Sequence, residues 1–171
     1  MGSGKSTIGP LLAARLGCPF VDSDAEIERE AGRRVAEIFA QEGEAGFRAR
    51  EAAAVERLAQ EPAVVALGGG AIAQPGLRER LRGRGVIVYL RASVESLAER
   101  IGGGDDRPLL RGLPPGGRRE RLRALLAERE ALYESAELRI DTDRASPEAL
   151  VSELVRLLDG LGGVGACEVG R

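Results

Sequence analysis

The stretch "GSGKST", residues 2–7, constrains the fold of this chain more than any other part of it. Two glycines around a serine let successive backbone N–H groups curl about an anion. The lysine then reaches its outer oxygens, and a hydroxyl follows where a cation would need an oxygen ligand. Ile8, Leu11, Leu12 and Leu16 recur at helical spacing and stop at Gly17, so the loop opens directly into a helix. Pro10 lies more than one turn inside that helix and predicts a kink or a tighter 3₁₀ stretch. The loop is the second half of the pattern G-x-x-x-x-G-K-[ST], and a loop of this kind hangs from the end of a buried strand.

The rest of the chain alternates in the manner of an α/β protein. "CPFVD" reads as a short buried strand, and the region from Asp24 to about Gln60 as two or three helices broken at Gly32 and "EGEAG". "AVVALGGG" and "GVIVYL" are further strands. "SVESLAERI" is a helix with Ser93 as its N-cap. The Gly-, Pro- and charge-rich span over about 102–117 is no core element and has the length of a mobile lid. "RRERLRALLAEREALY" is an amphipathic helix, "ELRIDT" a fourth strand, and "SPEALVSELVRLLD" a helix with Ser146 as N-cap and Pro147 at its first position. A disordered tail is predicted over about 160–171. This order predicts a doubly wound parallel sheet in one domain spanning 1–171, with ligands at the carboxyl ends of the strands.

Composition narrows the function. A length of 171 residues suits one compact domain, and a net charge of −2 with 3% aromatics argues against a nucleic-acid partner. No apolar run reaches the length of a membrane span and no signal peptide is recognisable, which predicts a cytoplasmic protein. There is no His, so acid–base work falls to carboxylates. Cys18 and Cys167 suggest neither a disulfide framework nor a zinc site. Lys5 is the only lysine among 25 basic residues, so arginine has not replaced lysine at the one place where a compact ammonium is needed.

Taken singly, the other polar motifs have two readings each. Asp22 and Asp24 in "FVDSDAEI" stand at a strand end, where they can hold Mg²⁺ through water and meet a substrate hydroxyl; alternatively Asp24 caps the next helix. Arg48 and Glu51 in "FRARE" share a helix face, either as part of a site or as a surface ion pair. The glycines Gly68, Gly69 and Gly70 allow close approach to the backbone or make a simple tight turn. Arg107 stands in "RPLL", and Arg129 precedes Tyr133 by four positions.

In this order and at these spacings, "GSGKST", "DSD", "FRxRE", "GGG", "RPLL" and "RxxLY" resemble the shikimate kinase family, over Gly2 to about Asp159. The resemblance implies a three-layer P-loop kinase fold with a five-stranded parallel sheet, a helical substrate-binding segment over about 24–52 and a lid. It implies a monomer that transfers the ATP γ-phosphoryl group to the 3-hydroxyl of shikimate. By position, Gly2, Ser3, Gly4, Lys5, Ser6 and Thr7 would cradle the phosphates, Ser6 and Asp22 would hold Mg²⁺, and Arg100 would lie against the adenine. Asp24 would bind ring hydroxyls and orient or deprotonate the nucleophile. Arg48, Arg129 and the backbone at Gly69 and Gly70 would take the substrate carboxylate, and Arg107 would fold over the phosphates.

One departure carries physical weight. The family has an apolar strand and a Gly ahead of this loop, and the strand lies in the middle of the sheet. Without it, neighbouring ladder groups lose partners and the core gains a gap, a loss of several kcal/mol against a total stability of roughly 5–15 kcal/mol. The expectation is that translation begins upstream of Met1. A second departure is small. Between Tyr133 and "DT" the chain is one residue shorter than the family's pattern, which leaves the adenine contact near Arg144 or Ala145 unplaced. Two rival readings are a gluconate-type kinase of the same fold, which explains "RPLL" and "GGG" less well, and a nonenzymatic nucleotide-binding relic.

Overall fold

The computed structural model describes residues 2–102, 110 and 112–161. Helix α1 (Lys5–Leu16) leaves the Gly-rich loop and ends on Gly17, which adopts the left-handed conformation at φ 68°. It runs as a continuous α-helix through Pro10, contrary to the kink expected there. Pro10 and Ser6, whose carbonyl loses its helical partner, both lie on the exposed side where water can meet that oxygen.

Strand β1 (Phe20–Asp22) leads into α2 (Ser23–Ala31) and then α3 (Val35–Leu58). The breaks expected at Gly32 and "EGEAG" fall at Gly32 and at Gly43, which interrupts α3 with φ 69° and ψ −177°. Ile27, Ile38, Phe47 and Ala54 pack these helices together. Strand β2 (Val64–Ala66) is followed by a 3₁₀ turn at Ala71–Ala73 and a short helix α4 (Leu77–Leu81), neither anticipated from the sequence. Next come β3 (Val88–Arg91), α5 (Val94–Ile101), α6 (Pro115–Glu134), β4 (Leu138–Asp141) and α7 (Pro147–Gly160). Ser93 and Ser146 cap α5 and α7 as expected, accepting from Ser96 N and Ala149 N.

Two boundaries shift. Helix α6 begins at Pro115, inside the span read as a lid, because Pro114 and Pro115 supply the φ of a helix start. Helix α7 reaches Gly160 and Leu161 is also described, so the last turn extends into the span read as tail; residues 162–171 lie outside the described residues.

All strand pairs are parallel, as expected, but the described strands make two separate pairs. In β1–β2, Phe20 stands beside Val64 and Asp22 beside Ala66; in β3–β4, Val88 stands beside Leu138 and Arg91 beside Asp141. Between the pairs opens a cavity of about 540 Å³, lined by Val65 of β2, Val88 and Leu90 of β3, Leu12 of α1, and Leu154 and Leu158 of α7. Two strands flanking a third stand about 10 Å apart, so the cavity has the place and the apolar walls of one central strand. Helices α1 and α7 still close the floor through Ile8, Leu12, Leu150, Val151 and Leu154. No helix among the described residues is long and apolar enough to cross a membrane.

Joining an extended apolar segment of about five residues and a Gly ahead of Met1 should fill this cavity. Recovering several kcal/mol would raise the calorimetric Tm by roughly 10 °C, at about 2–4 °C per kcal/mol for a chain of this size. The same segment with a central Pro, which cannot donate to the ladder, should leave Tm unchanged.

Candidate active site

The loop that starts α1 depends on two glycines. Gly2 has φ 68° and Gly4 φ 96°, and a Cβ on Gly2 would stand 3.2 Å from the Leu97 carbonyl oxygen. The Gly4 carbonyl accepts from Thr7 N at 3.0 Å and Ile8 N at 2.8 Å, which starts the helix and leaves the loop's N–H groups at its positive end. Arg100 of α5 donates to Thr142 Oγ1 at 2.9 Å and to Thr142 O at 2.7 Å, and reaches the Gly2 carbonyl at 3.4 Å. It therefore stands beside the loop, tied to the segment that follows β4.

Ser3 and Lys5 line a cavity of about 350 Å³ together with Asp24, Arg48, Glu51 and Arg129. Four segments distant in sequence thus meet at the carboxyl ends of β1 and β2. Of the two aspartates, Asp22 is the cap of α2: its Oδ1 accepts from Asp24 N at 3.0 Å and Ala25 N at 3.3 Å. Asp24 sits in the first turn of α2, so the reading of Asp24 as the capping residue does not hold. The buried Ser23 hydroxyl between them accepts from Gly68 N at 3.0 Å and fastens the start of α2 to the glycine loop.

That loop is built around side chains that leave no room for a Cβ. At Gly68 a Cβ would lie 2.5 Å from Glu51 Oε1 and 2.8 Å from Asp24 Oδ1; at Gly70 it would lie 2.6 Å from both Nη1 and Nη2 of Arg48. Neither residue has a positive φ; what a Cβ would have to displace is the ends of the Glu51, Asp24 and Arg48 side chains. The simple tight-turn reading gives way to close backbone approach.

Arg48 and Glu51 are not a surface pair. Glu51 is 1% exposed and its Oε2 accepts from Arg48 Nη1 at 2.6 Å and from Gln74 Nε2 at 2.7 Å. The Arg48 guanidinium also lies 5.4 Å from the centre of the Phe47 ring and donates through Nη2 to Glu44 Oε1 at 3.2 Å. Burial alone would push the Arg48 pKa down, but the Glu51 and Glu44 carboxylates outweigh it and hold it above the ordinary arginine value. Across the cavity Arg129 Nη1 donates to the Gly69 carbonyl at 3.1 Å, and its buried Nε has no acceptor among the described residues. The Tyr133 hydroxyl donates to the same carbonyl, and its ring stacks on Tyr89 with centroids 5.2 Å apart.

Chemically, the cavity is lined by a Gly-rich loop with an ammonium, by a carboxylate and by two guanidinium groups. Such a room suits a molecule carrying a hydroxyl and a carboxylate beside a phosphate donor. Hard oxygen donors for Mg²⁺ exist at the exposed Ser6 hydroxyl and at Asp22 Oδ2, and these fit an ion that keeps most of its own waters. Arg107 lies outside the described residues. The partner that sequence reading missed is Gln74, together with the depth of Glu51; the sequence pattern sets Tyr133 beside Arg129 without a role. No local pattern marks a residue as buried by a loop 17 or more positions away.

A family model described as "Shikimate kinase" matches residues 1–159. The shikimate kinase of Symbiobacterium thermophilum is 49% identical over 166 residues, covering 95% of this chain and 94% of its own. That of Chromohalobacter salexigens is 50% identical over 158 residues, covering 91% and 86%. Among solved structures, the shikimate kinase from Acinetobacter baumannii in complex with shikimate matches with a TM-score of 0.86 and 42% identity, over 94% of this chain and 89% of that one. The shikimate kinase from Aquifex aeolicus matches with a TM-score of 0.80 and 32% identity, over 96% and 95%.

Glu51→Ala would strip both Arg48 and Gln74 of a buried acceptor. It should cost about 1–3 kcal/mol in urea unfolding, against a few tenths for an exposed carboxylate such as Glu120.

Proposed function

The chain belongs to the shikimate kinase family, and on that premise we propose that it transfers the γ-phosphoryl group of ATP to the 3-hydroxyl of shikimate, giving shikimate 3-phosphate and ADP. The observation that carries this reading is that Lys5, Asp24, Arg48 and Arg129 line one cavity, since a phosphate donor and a small hydroxy acid need all four kinds of contact at once.

In this reading the backbone from Gly2 to Ser6 cradles the phosphates and Lys5 meets the oxygens that gain charge as the phosphoryl group moves. Thr7 extends the cradle by a hydroxyl, Arg100 borders the nucleotide, and Arg107, outside the described residues, is assigned to the phosphates by the family resemblance alone. Ser6 and, through water, Asp22 would hold Mg²⁺, which when bound would neutralise charge on the phosphate oxygens. Arg48 and Arg129 take the shikimate carboxylate as two planar forks, with the backbone of Gly69 and Gly70 alongside. The carboxylate end is thereby fixed, and the 3-hydroxyl lies toward Asp24, which accepts its hydrogen bond and takes its proton as the new O–P bond forms. The transition state is loose, so positioning and charge outweigh basicity and an ordinary carboxylate suffices.

Release of ADP that requires both ATP and shikimate, and that gluconate does not support, is the direct test. It should be run on the chain as it stands and with the apolar segment ahead of Met1. ATP binding without turnover in both forms would sink the reading. Lys5→Ala should lower kcat by about 10²–10³, the usual cost of one preorganised donor at a developing charge. Gly70→Ala, which displaces the Arg48 fork, should chiefly raise KM for shikimate, by roughly tenfold for one weakened charged hydrogen bond of about 1.5 kcal/mol.

A further inference from the structure

Arg48 faces two carboxylates of opposite character. Glu51 is buried, shares a hydrogen bond with Gln74 and is hemmed in by Gly68, so it cannot leave. Glu44 lies one helical turn earlier, its side chain is 70% exposed, and its 3.2 Å bond to Nη2 is the longer of the two. It also lines the cavity that holds Lys5, Asp24 and Arg129. Gly43, immediately before it, has φ 69° and ψ −177°, a conformation open essentially to glycine alone, so the chain bends where the Glu44 side chain is launched.

We propose that Glu44 is an internal stand-in for the ligand carboxylate: it occupies the outer edge of the Arg48 fork in the free protein and must be displaced when a carboxylate ligand binds. The inference rests on the reading of Arg48 as a carboxylate-binding residue. A guanidinium presents its donors in a fixed plane. Nη1 already donates to Glu51 and Nη2 to Glu44, so an incoming carboxylate that takes the outer edge of the fork meets the Glu44 charge, and the two carboxylates repel each other. Glu44 therefore keeps the guanidinium in place against Gly70 and sets a threshold that an anion overcomes and a neutral molecule does not. It is a positioning residue that lowers affinity, the reverse of an ordinary contact.

The test is calorimetric titration of shikimate into the full chain and its Glu44→Gln variant, with thermal melting to confirm that both are folded. The exposed pair is worth little, so the variant should bind shikimate about two- to fivefold more tightly at low salt. The gap should close at high salt, where the exposed Glu44 charge is screened, and the uncharged methyl ester of shikimate should gain nothing. Equal or weaker binding by the variant would overturn the stand-in role and leave the functional reading intact. Equal gain for acid and ester would also overturn it, because the effect would then be one of shape. Failure of the wild-type chain to bind shikimate at all would overturn both.

Discussion

The Arg48–Glu51 ion pair is the constraint on which the site is assembled. A carboxylate that is 1% exposed is expensive to bury unless its oxygens are met, and here Arg48 and Gln74 meet one of them while Gly68 closes over the other. The pair fixes the guanidinium in a partly buried position where its charge is secure and its remaining edge faces the cavity. It also explains the glycines. The loop after β2 can lie against two carboxylates and a guanidinium only if no Cβ intervenes at Gly68 and Gly70. The same contact joins the helical segment α2–α3 to the sheet, with Ser23 as a second fastening.

Around that pair the cavity is arranged as a gradient of chemistry. The Gly-rich loop at the start of α1 gathers N–H groups and one ammonium, and Asp24 follows in the first turn of α2. The two arginines line the same cavity, Arg129 with its Nε lacking an acceptor among the described residues. An ammonium, two guanidinium groups and a carboxylate on one cavity suit the proposed reaction, in which charge moves between phosphate oxygens while a carboxylate anchors the acceptor. Asp22 is placed differently, since one of its oxygens is already engaged at the start of α2.

The divided sheet bears on this site directly. Lys5 lines both the cavity between β2 and β3 and the cavity that holds Asp24 and Arg48. The apolar space in the core thus runs up to the phosphate loop, and whatever fills that space also supports the loop from below. Packing of the core and support of the Gly-rich loop are coupled at this point, because a parallel strand carries its carboxyl end to the loop that follows it.

Much of the molecule was legible in the chain. Helix starts at Ser93 and Ser146, the stop at Gly17 and the breaks at Gly32 and near Gly43 follow from hydrogen bonds within a few residues, and those are written locally. So are the four short apolar strands and the Gly-rich loop that opens α1. The kink at Pro10 was wrongly read because the cost of a proline depends on whether water can reach the orphaned carbonyl, which only the packing decides. The short elements between Ala71 and Leu81 carry too little periodicity to be read.

By itself, then, the sequence determined the alternation of strands and helices, the Gly-rich loop with its single lysine, and the spacing that puts Arg48 and Glu51 on one helix face. The tertiary structure decided which of these groups are buried and which compete. Glu51 became an anchor and Glu44 a loose partner because Gly68 and Gln74, 17 and 23 positions beyond Glu51, fold onto one and not the other. Asp22 took the capping role because β1 ends there. Desolvation is a property of the assembled surroundings, and no pattern confined to neighbouring residues contains it.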